Sequence, residues 1–210
     1  MIINNAISYS EEEKVLVRNY EGREVKCSDD WVDEAFTELK SSIKKYYKTE
    51  QNYTCPYCKV KYPVTHGMVW DIEHIIPKDR KPLFMFNPKN LCVACKDCNG
   101  AKSNKNVLVN EDRVNFTENN EHYKIVHPHF DKYDEHIRAI LPGDLYRPLT
   151  KKGEFTIITC RLLRFYKVVN RDQPNPEIDE LARALIGSEG AARRVLEDEL
   201  VRRITAARET

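Results

Sequence analysis

No run of about 18 apolar residues, the length a bilayer-spanning helix needs, occurs in this sequence, so no membrane span is expected. The opening residues, "MIINNAISYSEEEK", have neither the basic start nor the apolar segment of a secretory signal, and a cytoplasmic location is the expectation. A charge excess is missing too: 34 Lys and Arg stand against 33 Asp and Glu, a formal net charge of +1. That balance excludes a protein that coats nucleic acid by bulk electrostatics, and any such binding must use a local patch. No internal repeat or low-complexity segment is present, and 210 residues leave no room for two large domains.

What is there is an ordinary globular composition, 41% hydrophobic and 32% charged, with one local basic patch. From His74 to Asn106 it holds Lys78, Arg80, Lys81, Lys89, Lys96, Lys102 and Lys105 against Asp79 and Asp97. Seven cysteines is an odd number for a disulfide framework, and four of them form two CxxC pairs, Cys55/Cys58 in "CPYC" and Cys95/Cys98 in "CKDC". In a reducing compartment two such knuckles read as a thiolate metal site. Zn²⁺ takes four tetrahedral ligands, and a Cys₄ set closes its coordination sphere, so this ion would be structural. It would staple the 36 residues between Cys58 and Cys95 into a loop with fixed ends. Cys27, Cys92 and Cys160 are left over and read as small buried apolar residues.

The periodicity predicts an amphipathic helix over residues 28–48, with Ser28 as N-cap and Trp31, Val32, Ala35, Phe36, Leu39, Ile43 and Tyr46 on one stripe. A strand is predicted from about Met68 to Glu73, a proline-broken loop over 75–90, a short apolar run "NLCVAC", and a helix starting just after the second knuckle. "HYKIVHP" and "EFTIITC" read as strands. From residue 160 the pattern is helical, with entries at Asn175–Pro176 and at Ser188, the last helix carrying a stripe of Ala192, Val195, Leu196, Leu200 and Ile204. The fold class expected is α+β, divided into an N-terminal helical flank (1–50), a zinc-stapled core (51–140) and a mostly helical C-terminal extension (141–210).

Within the stapled segment lies "DIEHIIPKD". Glu73 is a hard oxygen ligand suited to Mg²⁺ or a similar ion, and His74 has an ordinary pKa of roughly 6.5, suited to a general base. Neighbours on a strand point to opposite faces, so a shared site requires the strand to end or twist at His74. Asp71 shares Glu73's face and could support it or simply be a solvated core-edge residue.

The ordered series CxxC, Glu-His-Ile-Ile-Pro, "NPKNL", CxxC-Asn and "GAK" resembles the HNH endonucleases over residues 55 to about 108. The resemblance implies a ββα-metal fold in which His74 activates water for attack on a phosphodiester of DNA. It implies Glu73 and Asn99 as ligands of a catalytic divalent ion (Mg²⁺, Mn²⁺ or Ni²⁺), Asn90 as the residue that holds the loop and orients the histidine, and Lys102 facing the phosphate. Many relatives have aspartate where this chain has Glu73. In general layout the chain also resembles HNH accessory nucleases of bacterial anti-phage defence, Septu-like, in which the flanks would dock a partner ATPase or sensor. The competing expectation is a zinc-stapled nucleic-acid-binding or protein-interaction module without catalysis. Outside the motif, His127, His129 and His136 with Asp131 and Asp134 read as a hydrogen-bonded loop before a second metal site. Arg161, Arg164 and Lys167 read as a solvated helix face before a backbone-tracking one.

Overall fold

The computed structural model describes residues 3–64, 67–164, 177, 180–181, 184–185, 188 and 190–206. Helix α1 (Glu11–Glu21) starts at a capping box: the Ser10 side chain accepts from Glu13 N, and the Glu13 carboxylate accepts from Ser10 N. Helix α2 (Thr37–Glu50) buries Leu39, Ile43 and Tyr47. The single helix expected over 28–48 is divided. Residues Ser28–Val32 and Glu34–Phe36 are separate 3₁₀ turns, because Asp33 caps Ala35 N with its side chain while Arg23 pairs with both Asp30 and Asp33. Val32, expected on the buried stripe, is 76% exposed.

Strand β1 (Trp70–His74) pairs antiparallel with β2 (Leu91–Cys95), in a register that sets Glu73 opposite Cys92 and His74 opposite Leu91. Helix α3 (Lys96–Lys102) follows β2 without a loop and therefore contains the second knuckle; the expectation that it starts after that knuckle is corrected. It stops at Ser103, whose φ of 48° breaks the helical path. Between β1 and β2 the prolines open two 3₁₀ turns, Pro82–Phe84 and Pro88–Asn90.

Further on, α4 (Tyr133–His136) leads into a β3 (Ile137–Leu141) and β4 (Leu145–Pro148) hairpin, then α5 (Lys151–Thr159) and, after an interval, α6 (Gly190–Ala206). "EFTIITC", expected as a strand, lies in α5. Thr150 caps this helix on Gly153 N, and the Thr156 hydroxyl returns to Lys152 O, a bond that suits a threonine inside a helix. "HYKIVHP" forms a 3₁₀ turn and a bridge from Leu108 to Tyr123 in place of a strand. The helix entry at Asn175–Pro176 lies outside the described residues. On α6, Leu200 is buried and Leu196 half-buried, but Val195 is 67% exposed and Glu197 takes the inward place, held by Arg138, Arg147 and Arg193. One continuous core runs from Ile3 to Leu162, so α1 and α2 pack with the stapled segment: Tyr20 Oη donates to Pro82 O, and Tyr47 Oη to Pro88 O.

Candidate active site and metal centre

The sulfurs of Cys55, Cys58, Cys95 and Cys98 lie within 4.8 Å of one another, and all four residues are buried. A tetrahedron with metal–sulfur bonds of about 2.3 Å has edges of roughly 3.8 Å. Cys58 Sγ and Cys95 Sγ stand 3.8 Å apart, so the cluster fits a tetrahedral Zn²⁺. Arg164 Nη1 donates toward Cys98 Sγ at 3.5 Å, which places this arginine on the sulfur cluster and not on the solvated face expected of it. Cys92 and Cys160 are buried with their thiols pushed up by burial, whereas Cys27, expected inside, is exposed.

Strand β1, α2 and Asn99 and Gly100 of α3 line an open hollow of about 680 Å³. His74 lines it at the last position of β1, backed by the edge of Trp31 at 4.6 Å. Its Nε2 lies 3.1 Å from Met85 O. A carbonyl only accepts, so Nε2 carries the proton and Nδ1 keeps its lone pair. Burial, with Lys102 and Lys78 adding to it, pushes the imidazole down to about 3, and the ring is therefore neutral near pH 7.

Asp71, Glu73 and Asn99 line the same hollow. Asn99 Nδ2 donates to Asp71 Oδ2 at 3.1 Å, which leaves the amide oxygen outside that bond, and Lys96 stands 3.3 Å from Asp71 Oδ1. Glu73 is buried. Its Oε1 takes the Lys102 ammonium at 2.7 Å and the Tyr57 hydroxyl at 3.0 Å, with burial raising its carboxyl against the pull of both. Two carboxylates and an amide oxygen are hard donors by type, of the kind a divalent cation such as Mg²⁺ takes, although among the described residues only the four cysteines are drawn close enough together to hold an ion as they stand.

Two expectations change here. Lys102 does not face a phosphate: it is 0% exposed, its ammonium spent on Glu73 and on His74 O at 2.9 Å. The stem of the last residue of α3 points inward because α3 packs directly against β1. Asn90 takes Ile76 N on Oδ1 at 2.8 Å and gives Nδ2 to Ile76 O and Phe84 O. It does not touch the His74 ring, which Met85 orients from the turn that Asn90 fixes. The loop histidines form no metal cluster among the described residues. Asp131 gathers His127 N, Asn120, Lys152 and His136, and His129 Nε2 contacts Leu91 O at 2.7 Å.

Sequence reasoning missed Trp31, the Met85 carbonyl and the α2 side of the hollow, none of which belongs to the spaced motif. It undervalued Asp71, although the alternation of β1 already put it on Glu73's face.

Residues 55–105 match the family model described as HNH endonuclease. Over 75 residues the chain is 33% identical to the Septu protein PtuB of Bacillus thuringiensis, a match covering 34% of this chain and 29% of that relative. The chain thus spans under a third of the length of the curated relative it matches. With these matches and the four-cysteine cluster, the likeness to the HNH endonucleases is established for residues 55–105, the stretch from the first knuckle through β1, β2 and α3.

Proposed function

We propose that this chain is a metal-dependent endonuclease that hydrolyses phosphodiester bonds of DNA and serves anti-phage defence beside a partner ATPase or sensor. The observation that carries the chemistry is geometric: His74, its Nε2 against Met85 O so that Nδ1 stays outside that bond, lines one hollow with Asp71, Glu73 and Asn99. In this reading Nδ1 takes a proton from water as its oxygen attacks phosphorus, and the bond from phosphorus to the leaving oxygen breaks. Glu73 and Asn99 hold the divalent ion (Mg²⁺, Mn²⁺ or Ni²⁺), with Asp71 beside them. That ion supplies neutralisation of the charge that builds on the phosphoryl oxygens. Asn90 and Lys102 are positioning residues: one pins the 76–84 turn, the other ties α3 to the end of β1. The defence setting is supported by the similarity to a Septu protein. In this assignment residues 51–140 carry the nuclease motif, Trp31 and one face of α2 complete its hollow, and the surfaces of 1–50 and 141–210 turned away from that hollow meet the partner.

The Lys102 ammonium on Glu73 favours a second reading, a zinc-stapled binding module whose carboxylate is already neutralised from within. Plasmid nicking across Mg²⁺, Mn²⁺ and Ni²⁺ decides between them. For the nuclease, His74→Ala lowers nicking about 10²- to 10⁴-fold, the usual worth of a general base, and leaves DNA binding nearly unchanged. Wild-type protein that binds DNA and nicks it under none of these ions, alone or with its partner, supports the binding module.

A further inference from the structure

The wall of the hollow facing the oxygen donors comes from outside the matched segment. Thr37, Lys40, Ser41 and Lys44 line it. Their spacing of i, i+3, i+4 and i+7 is one face of α2, which flanks the buried stripe of Leu39, Ile43 and Tyr47 and leaves Lys40 and Lys44 half-buried. The hollow brings Asp71 and Glu73 of β1, each already met by a lysine, together with hydroxyls and ammonium groups of α2, and Lys78 and Asp79 line it as well; Lys44 is close enough to Asp71 for their charges to interact. An Asp or Glu is absent from that α2 stripe. From Thr37 to Lys44 the helix rises about 10 Å, enough to reach the phosphates next to one held at His74. The hollow, at about 680 Å³, is larger than one phosphate and one cation require and is open to solvent.

We infer that this face of α2 is a phosphodiester-backbone site, in which Lys40 and Lys44, with the hydroxyls of Thr37 and Ser41, hold phosphates flanking the one presented to His74. Lys40 Nζ donates to Trp31 O at 2.9 Å, which fixes the ammonium on the α2 side of the hollow and leaves two of its three N–H donors for phosphate oxygens. The contacts read charge and backbone, not base edges, so the site grips the strand without selecting its sequence. This inference rests on the nuclease reading of the hollow.

Binding of a fluorescent DNA duplex to the full chain in the His74→Ala background, measured across a salt series, tests it. Each of Lys40→Gln and Lys44→Gln is expected to weaken binding equally for unrelated sequences and to lower the slope of log K against log salt by about 1. Lys45→Gln removes the same charge from a position about a quarter-turn off this stripe, where Lys45 lines a separate hollow with Ser42, Tyr46, Thr49 and Glu50, and is expected to leave the slope unchanged. If all three variants change the slope alike, or none does, while the parent binds, the α2 site is wrong and the nuclease reading stands. If the parent protein binds no duplex and wild type nicks none, both fall together.

Discussion

Lys102 is a fully buried ammonium, and its compensation is local. A fully buried ammonium is tolerated because Glu73 and His74 O both meet it, and the carboxylate is tolerated for the same reason. Removing either partner strands the other. Lys102→Met is therefore expected to destabilise the protein by about 3–5 kcal/mol in urea unfolding, whereas Lys102→Met with Glu73→Gln recovers most of that loss. Equal losses in the single and double variants would mean that packing, not charge, sets the cost. His127 makes a second residue-scale prediction. It is buried, stacked on Phe130 at 4.1 Å, and held well below its ordinary pKa by burial, with His129 and Lys152 adding to the effect. The folded ring stays neutral while the unfolded ring takes a proton below about pH 6.5, so the unfolded state binds more protons and stability falls as pH drops. The slope from this residue is at most about 1.4 kcal/mol per pH unit. His127→Phe should flatten the acid limb of the stability–pH curve between about pH 6.5 and 5, and an unchanged limb would assign it to other groups.

At the scale of elements, helix α5 shows where local sequence misleads. "EFTIITC" is β-branched and reads as strand, yet the cap at Thr150 and the seat of Gly153 against the chain at His136 make it a helix. A Cβ at residue 153 would lie 1.9 Å from His136 O. Alanine normally gains about 1 kcal/mol over glycine inside a helix, but here overpacking of roughly 1–3 kcal/mol opposes it and the backbone has nowhere to go. Gly153→Ala is thus expected to lower the melting temperature, while Gly100→Ala in α3, where nothing stands within 4 Å, leaves it level or raises it. The same contrast explains what could be read from the chain. Strand β1 and the knuckles were legible because their signals are local, ligand spacing and a proline stop; β2 showed only as an apolar run, and α3 was expected to start later than it does. The division of 28–50 into turns and helix was not, since Arg23 sets it from outside the segment. The inward turn of Lys102 and the α2 wall of the hollow were illegible for a related reason: each depends on which helix packs over β1, and no spacing encodes that.

At the scale of the whole molecule, the sulfur cluster ties regions far apart in sequence. Cys55 and Cys58 follow α2, Cys95 and Cys98 join β2 to α3, and Arg164 reaches back from beyond α5 to donate to Cys98 Sγ. Four thiolates outweigh the charge of one divalent ion, so a guanidinium beside them offsets the excess and shields the sulfurs from protons. Because the cluster sits inside one continuous core and not on a peripheral finger, losing the ion should loosen the entire fold and not only the 59–94 loop. Cys98→Ser is expected to drop bound zinc well below one ion per chain by elemental analysis and to lower the melting temperature by at least about 10 °C. Arg164→Gln should keep a full ion per chain yet release it faster to a chromogenic chelator, since the sulfurs lose a donor but not a ligand. A release rate equal to wild type would show that Arg164 only packs against the cluster, and full stability in Cys98→Ser would show that the core stands without its metal.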